Sequence, residues 1–135
     1  MIFLDTNICI AAIRENTRVA ARLIQHGGRV HLPFPVVAEL RFGVEKMALA
    51  GRLSANARPQ LDAFLARIAG VVAVTDAMLS AHARVRAQLE ATGNLIGPND
   101  LWIAAQALAE DALLVSDNVR EFKRVPGLRL ENWLR

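Results

Sequence analysis

The sequence predicts an α/β fold, a mostly parallel sheet covered by helices on both faces. Two observations lead there: apolar runs of strand length recur along the chain, and segments of helical character separate them over its whole length. At 135 residues, 53% hydrophobic and 21% charged, the chain has the size of one domain able to build a complete core. No repeat, low-complexity tract or Ser/Gly-rich linker divides it, so residues 1–135 are read as one unit.

The elements follow in order. Met1 to Leu4 is an apolar run of strand size ending at Asp5, and a helix begins near Thr6 and runs through Ile13. A second helix covers about Val19 to Gln25, then Gly27-Gly28 breaks the chain before a short strand at Val30 to Leu32. Pro33 and Pro35 stop extension and open a helix over about Val36 to Leu49, since proline is tolerated in a first turn. The next helix spans about Ala57 to Ile68, and Gly70 precedes the β-branched run Val71 to Val74, expected as a buried strand. Thr75 caps a long helix to about Ala91, which Gly93 ends. Pro98 and Asn99 introduce a helix from Asp100 to about Glu110, followed by a strand at Ala112 to Val115. A short helix near Val119 to Lys123, a Pro126-Gly127 turn and a strand near Leu128 to Leu130 complete the pattern.

Several function classes fall away on composition. The single cysteine, Cys9, excludes a disulfide framework or a CxxC site and reads as a small buried hydrophobe. No apolar stretch approaches the roughly 20 residues of a membrane span. Asp5 and the lack of a basic leading segment argue against a signal peptide, so the cytoplasm is the default compartment. The formal charge is only +3, yet 14 of the 16 basic residues are Arg, the side chain suited to bidentate phosphate recognition. A genome biased towards Arg and Ala accounts for this equally well.

The acidic residues are more informative. In an open parallel sheet the reactive groups lie beyond the carboxyl ends of the strands, where strand order reverses. Asp5 and Asp117 each follow a predicted strand and therefore emerge at one sheet edge. Asp100 shares a helix face with Ile103, Ala104, Ala107 and Leu108, and Glu39 with Val36, Phe42 and Gly43. A carboxylate brought into low dielectric calls for a partner. Asp100 alone also fits an ordinary first-turn acid favoured by the helix dipole, and Glu39 alone fits a surface position at the edge of its stripe. Four acids converging without His or Cys suit a hard cation such as Mg²⁺ or Mn²⁺, and phosphodiester hydrolysis is the natural chemistry there.

These residues resemble a known family. Asp5 in IFLDTN, Glu39 in VVAEL, Asp100 in GPNDLWIAAQALA and Asp117 in LLVSDNVREF are similar to the acidic tetrad of PIN-domain ribonucleases, most closely the VapC-type toxins of bacterial toxin–antitoxin pairs. The resemblance runs through the closing REFKRVPGLRLENW. It implies a central parallel sheet of about five strands and cleavage of RNA, often tRNA or rRNA, with Mg²⁺ or Mn²⁺. It also implies a homodimer and silencing by a cognate antitoxin that wraps the toxin and blocks the acidic pocket. Carried over by position, Asp5, Asp100 and Asp117 hold the metal directly or through water, and Glu39 ligates it or orients the attacking water. Thr6 and Ser116 supply hydroxyls beside two of the acids, with Asn7 and Asn118 similarly placed; Thr6 equally fits a helix N-cap.

The remaining features are read as structural. His82 falls on the stripe of Met78, Val85 and Leu89 and is expected in a core or dimer face, while His26 and His31 show no metal-ligand spacing. Trp102 is expected to pack in the core, with a neighbouring helix, a second subunit or an antitoxin as the other candidates, and Trp133 to anchor the tail. Arg14, Arg18, Arg22, Arg84 and Arg86 fit either phosphate contacts or a solvated face. Other functions remain as alternatives: a catalytically silent RNA- or antitoxin-binding module, and a haloacid-dehalogenase-type phosphatase, whose usual second Asp is Asn7 here. Neither GxxxxGK[ST] nor GxGxxG occurs. With the four acids set aside, nine acids face 16 bases, a balance of +7 around a negative pocket.

Overall fold

The structure, a computed structural model, describes all 135 residues. Strand β1 (Ile2–Leu4) is buried throughout, and Asp5 ends it by turning its carboxylate onto the Thr6 N–H at 2.8 Å, so that Asp5 rather than Thr6 caps α1 (Thr6–Ile13). Helix α2 (Thr17–His26) begins two residues before the expected start because Asn16 caps it, its Oδ1 accepting from Arg18 and Val19 N–H. A 3-10 turn at Gly27–Arg29 leads into β2 (Val30–Pro33), and α3 (Phe34–Leu49) carries Pro35 in its first turn. Helix α4 (Ala57–Arg67) precedes β3 (Gly70–Val72); α5 (Asp76–Ala91) is capped by the Thr75 hydroxyl and ends before Gly93, whose φ of 68° lies in the left-handed region. Helix α6 (Pro98–Ala109), β4 (Leu113–Val115), the single turn α7 (Val119–Phe122) and β5 (Arg129–Glu131) complete the chain.

The five strands form one all-parallel sheet in the order β3-β2-β1-β4-β5. The first strand is central: the chain steps outward through β2 and β3, then crosses back to place β4 and β5 on the other side. Strand order therefore reverses between β1 and β4, where Leu4 pairs with Val115. The core is built by Phe3, Leu4, Ile8, Leu32, Ile103, Leu114 and Phe122, all essentially without solvent contact, each contributing roughly 1.5–3 kcal/mol through burial. Trp133 is also buried; its indole N–H donates to Glu131 Oε2 at 3.0 Å and its ring stacks on His26, so the tail is anchored as expected.

Three expectations need correction. The run after Gly70 is not a buried strand: β3 is an edge strand ending at Val72, and Val71 and Val74 are exposed because only β2 flanks it. On α3, Phe42 and Gly43 face solvent and the buried residues are Pro35, Val36 and Leu40, so Glu39 lies at the border of the stripe. Trp102 is half-buried rather than in the core: it packs against a neighbouring helix, its ring stacked on His82 of α5 at 3.8 Å and tilted against Phe34. One buried polar residue had no sequence signal: Gln106, in an Ala-rich run, accepts from Phe34 N–H and donates to Val72 C=O at 3.2 Å each, tying α6 to α3 and β3.

Candidate active site

The reversal point between β1 and β4 carries the acids. Asp5 is fixed at three atoms: its N–H donates to Val115 C=O at 2.9 Å, its Oδ1 caps α1, and its Oδ2 accepts the Ser116 hydroxyl at 2.6 Å. Asp117 follows β4 on a short bend, Asp100 sits in the first turn of α6, and Glu39 in the second turn of α3. All four line one cleft of about 720 Å³, together with Thr6, Asn7, Asn118 and the Gly97-Pro98-Asn99 approach to α6. Ser116 lies beneath it, fully buried, its oxygen also accepting the Asn118 N–H at 3.0 Å. Thus the structure brings together all eight residues singled out in the sequence, seven on the cleft wall and Ser116 in its floor.

Each acid accepts from one neutral side-chain donor. Ser116 serves Asp5, Asn99 serves Glu39, Asn118 serves Asp100 at 3.3 Å, and Asn7 serves Asp117 at 3.2 Å. No Lys, Arg or His lines the cleft. The negative charge is therefore oriented by dipoles but not neutralised, and the acidities reflect it. Burial pushes the Asp5 carboxyl up, against the opposing pull of Ser116 and Thr6 N–H and with help from the charges of Asp117 and Glu39. Asp100 is pushed up to about 7, first by burial, then by Asp5 and by Glu121 beside it. Glu121 moves the opposite way, held down chiefly by Asn118, whose Nδ2 donates to it at 2.9 Å.

An all-oxygen donor set with uncompensated negative charge fits a hard divalent cation. No three of the carboxylates are gathered at metal-ligand spacing, since each leans on its own amide or hydroxyl donor. Sequence reasoning missed two members of the network. Asn99 stood beside Asp100 as a helix-opening residue, and Glu121, four residues after Asp117, looked like an ordinary helical charge. A second hollow between α1, α2 and α4 is mainly apolar and holds one acid, Glu15, so it offers no comparable chemistry. Two of the arginines named above serve the tail: Arg18 donates to Leu134 C=O and Arg22 lies over the Trp133 ring.

The chain is similar to known proteins along nearly its whole length. The model of the PIN domain matches residues 2–128. Ribonuclease VapC2 of Rickettsia felis is 37% identical over 133 residues, 96% of this chain and 96% of that protein. The tRNA(fMet)-specific endonuclease VapC of Shigella flexneri is 36% identical over 132 residues, again 96% of each. Among solved structures, VapBC2 from Rickettsia felis, bound to a DNA fragment from its promoter, superposes with a TM-score of 0.86 at 36% identity, covering 98% of this chain and 99% of that one.

Proposed function

This chain belongs to the PIN-domain family, among the VapC ribonuclease toxins of toxin–antitoxin pairs, and from that premise we propose that its acidic cleft hydrolyses RNA phosphodiester bonds with Mg²⁺ or Mn²⁺. The observation that carries the reading is four carboxylates on one cleft wall with no base among them. Asp5, Asp100 and Asp117 would hold the cation, and Glu39 would share it or orient the attacking water. A divalent ion bound there polarises a phosphoryl oxygen and lowers the pKa of bound water. The chain's own residues do the positioning. Ser116 and the Thr6 N–H keep Asp5 in one orientation, Asn118 and Asn7 do the same for Asp100 and Asp117, and Asn99 holds Glu39 at the rim. The Thr6 hydroxyl and the cleft-lining amides offer neutral hydrogen bonds to a phosphate.

The relative from Shigella flexneri, named for tRNA(fMet), supports a structured RNA such as tRNA as substrate. The VapBC2 structure supports a cognate antitoxin as partner. We assign the protein to the cytoplasm as a homodimer; no helix of the structure is long and apolar enough to cross a membrane. The intact tetrad disfavours a catalytically silent module, and Asn7 removes the acid–base expected of a dehalogenase-type phosphatase.

The test is cleavage of RNA by purified protein with Mg²⁺ or Mn²⁺, compared with Asp5→Asn and Asp100→Asn. Both variants are expected to lose cleavage while keeping native circular dichroism. Undiminished cleavage by either, or by wild type in excess EDTA, refutes the metal-nuclease reading. Light scattering tests the dimer.

A further inference from the structure

Resting on the ribonuclease reading of the cleft, we propose that Arg120, Lys123 and Arg124 form a ledge that grips the RNA backbone at a phosphate beside the one that is cut. The cleft itself holds four acids and no base, so it cannot attract or hold a polyanion through its own side chains. The cations must stand outside it, and α7 brings them to its edge. This turn begins two residues after Asp117, and Phe122, buried in the core, pins it. Arg120 lies in this turn and Lys123 and Arg124 just past its end, where their N–H groups still donate to Val119 and Glu121 C=O, so the three stand at i, i+3 and i+4 along one continued turn.

Two contacts tie that face to the cleft walls. Asn118, on the cleft, donates to both Asp100 and Glu121, which places Glu121 between the acids and the bases. Arg124 Nη1 donates to Leu95 C=O at 3.2 Å, two residues before Gly97 on the opposite wall. The charges of Arg124 and Arg120 also act on Glu121, after the stronger pull of Asn118. Arg120 and Lys123 are exposed. Some of the other bases have intramolecular partners: Arg58 pairs with Glu45, Arg86 with Glu90 and Arg129 with Asp111, while Arg18 and Arg22 hold the tail. Such a ledge reads charge and shape, not base sequence.

The experiment measures binding of unfractionated tRNA against salt in the non-cleaving Asp5→Asn background, and cleavage kinetics in the wild-type background. Each single-strand phosphate contact contributes about 0.7 to the slope of log affinity against log salt, so Arg120→Gln/Lys123→Gln/Arg124→Gln should flatten it by about 2. The accompanying loss of kcat/KM should be carried by KM. Arg120→Lys/Arg124→Lys should retain the slope. Arg29→Gln/Arg52→Gln/Arg67→Gln removes the same charge from the opposite sheet edge, ahead of β2 and β3 and beyond the end of α3, and should leave the slope near that of the parent. Where the triple variant does not fold, the exposed pair Arg120→Gln/Lys123→Gln decides, with about 1.4 expected. An unchanged slope, or an equal loss in the opposite-edge control, overturns the ledge. A wild-type protein that binds tRNA without cutting it refutes the nuclease reading instead, and the binding slopes still decide the ledge.

Discussion

Removing one oxygen atom from beneath the cleft should uncouple its acids from their support. Ser116→Ala deletes a hydroxyl that is 0% exposed and sits between two groups: it donates to Asp5 Oδ2 at 2.6 Å and accepts the Asn118 N–H at 3.0 Å. The first bond ends on a carboxylate and is worth roughly 1.5–3 kcal/mol, the second roughly 0.5–1.5 kcal/mol. The mid-range of the two bonds, less what relaxation of the site recovers, gives a net loss of about 2 kcal/mol. Unfolding entropy of about 2.1 cal/mol/K per residue turns that into a fall in Tm of about 7 °C for a chain of 135 residues. Asp5 and Asn118 would also lose their shared anchor, and loss of such support lowers metal affinity by about 10–100-fold. The assay pairs thermal unfolding in EDTA with a Mg²⁺ titration of RNA cleavage; the variant should need more Mg²⁺ for half-maximal rate and recover much of the wild-type rate when saturated. A Tm within about 2 °C of wild type, together with an unshifted Mg²⁺ requirement, would refute the reasoning.

Three further outcomes follow from the same geometry. The Asp100 carboxyl, about 7 when folded against the ordinary 3.8, contributes stability that is fully present below about pH 4 and lost as pH rises through 7; Tm in EDTA should therefore fall from about pH 5 to 8 relative to Asp100→Asn, and Mg²⁺ should restore more at the higher pH, whereas a rising or flat difference would contradict the charge crowding. Gln106→Leu leaves Phe34 N–H and Val72 C=O without partners and should cost about 2–4 kcal/mol in urea unfolding; a change below about 0.5 kcal/mol would mean that those groups are satisfied otherwise. Cys9 is fully buried and its thiol is pushed well up, by burial first, so an aromatic disulfide reagent should label it only as the protein unfolds, and fast labelling of native protein would refute the packing around α1.

What could be read from the sequence divides along physical lines. Caps, prolines and apolar runs act locally, so all seven helices and all five strands lie within two residues of their expected bounds. Asp5, Asp100 and Asp117 were legible because strand ends and a Pro-initiated helix start are local signals too. Glu39 was found through a helix phase only half right: Val36 faces inward but Phe42 faces water, since α3 is covered on one side alone. The edge position of β3 was hidden because β-branched composition does not reveal which strand lies outermost. Gln106 and Glu121 escaped notice because their meaning comes from groups distant in sequence or from an irregular turn, Val72 for the one and Asp100 for the other.

The pairing of β1 with β4 has a consequence for synthesis. Leu4 is made 111 residues before its sheet neighbour Val115. A ribosome that has translated as far as α5 has supplied two of the four acids, Asp5 and Glu39, and no strand to cover the free side of β1. On the metal-nuclease reading, a nascent or truncated chain that lacks α6 and β4 should leave the RNA around it uncut, and an assay of a fragment ending at α5 checks this. The pairing of β4 with β1 thus joins the earliest of the four acids, Asp5, to the last, Asp117, in one cleft.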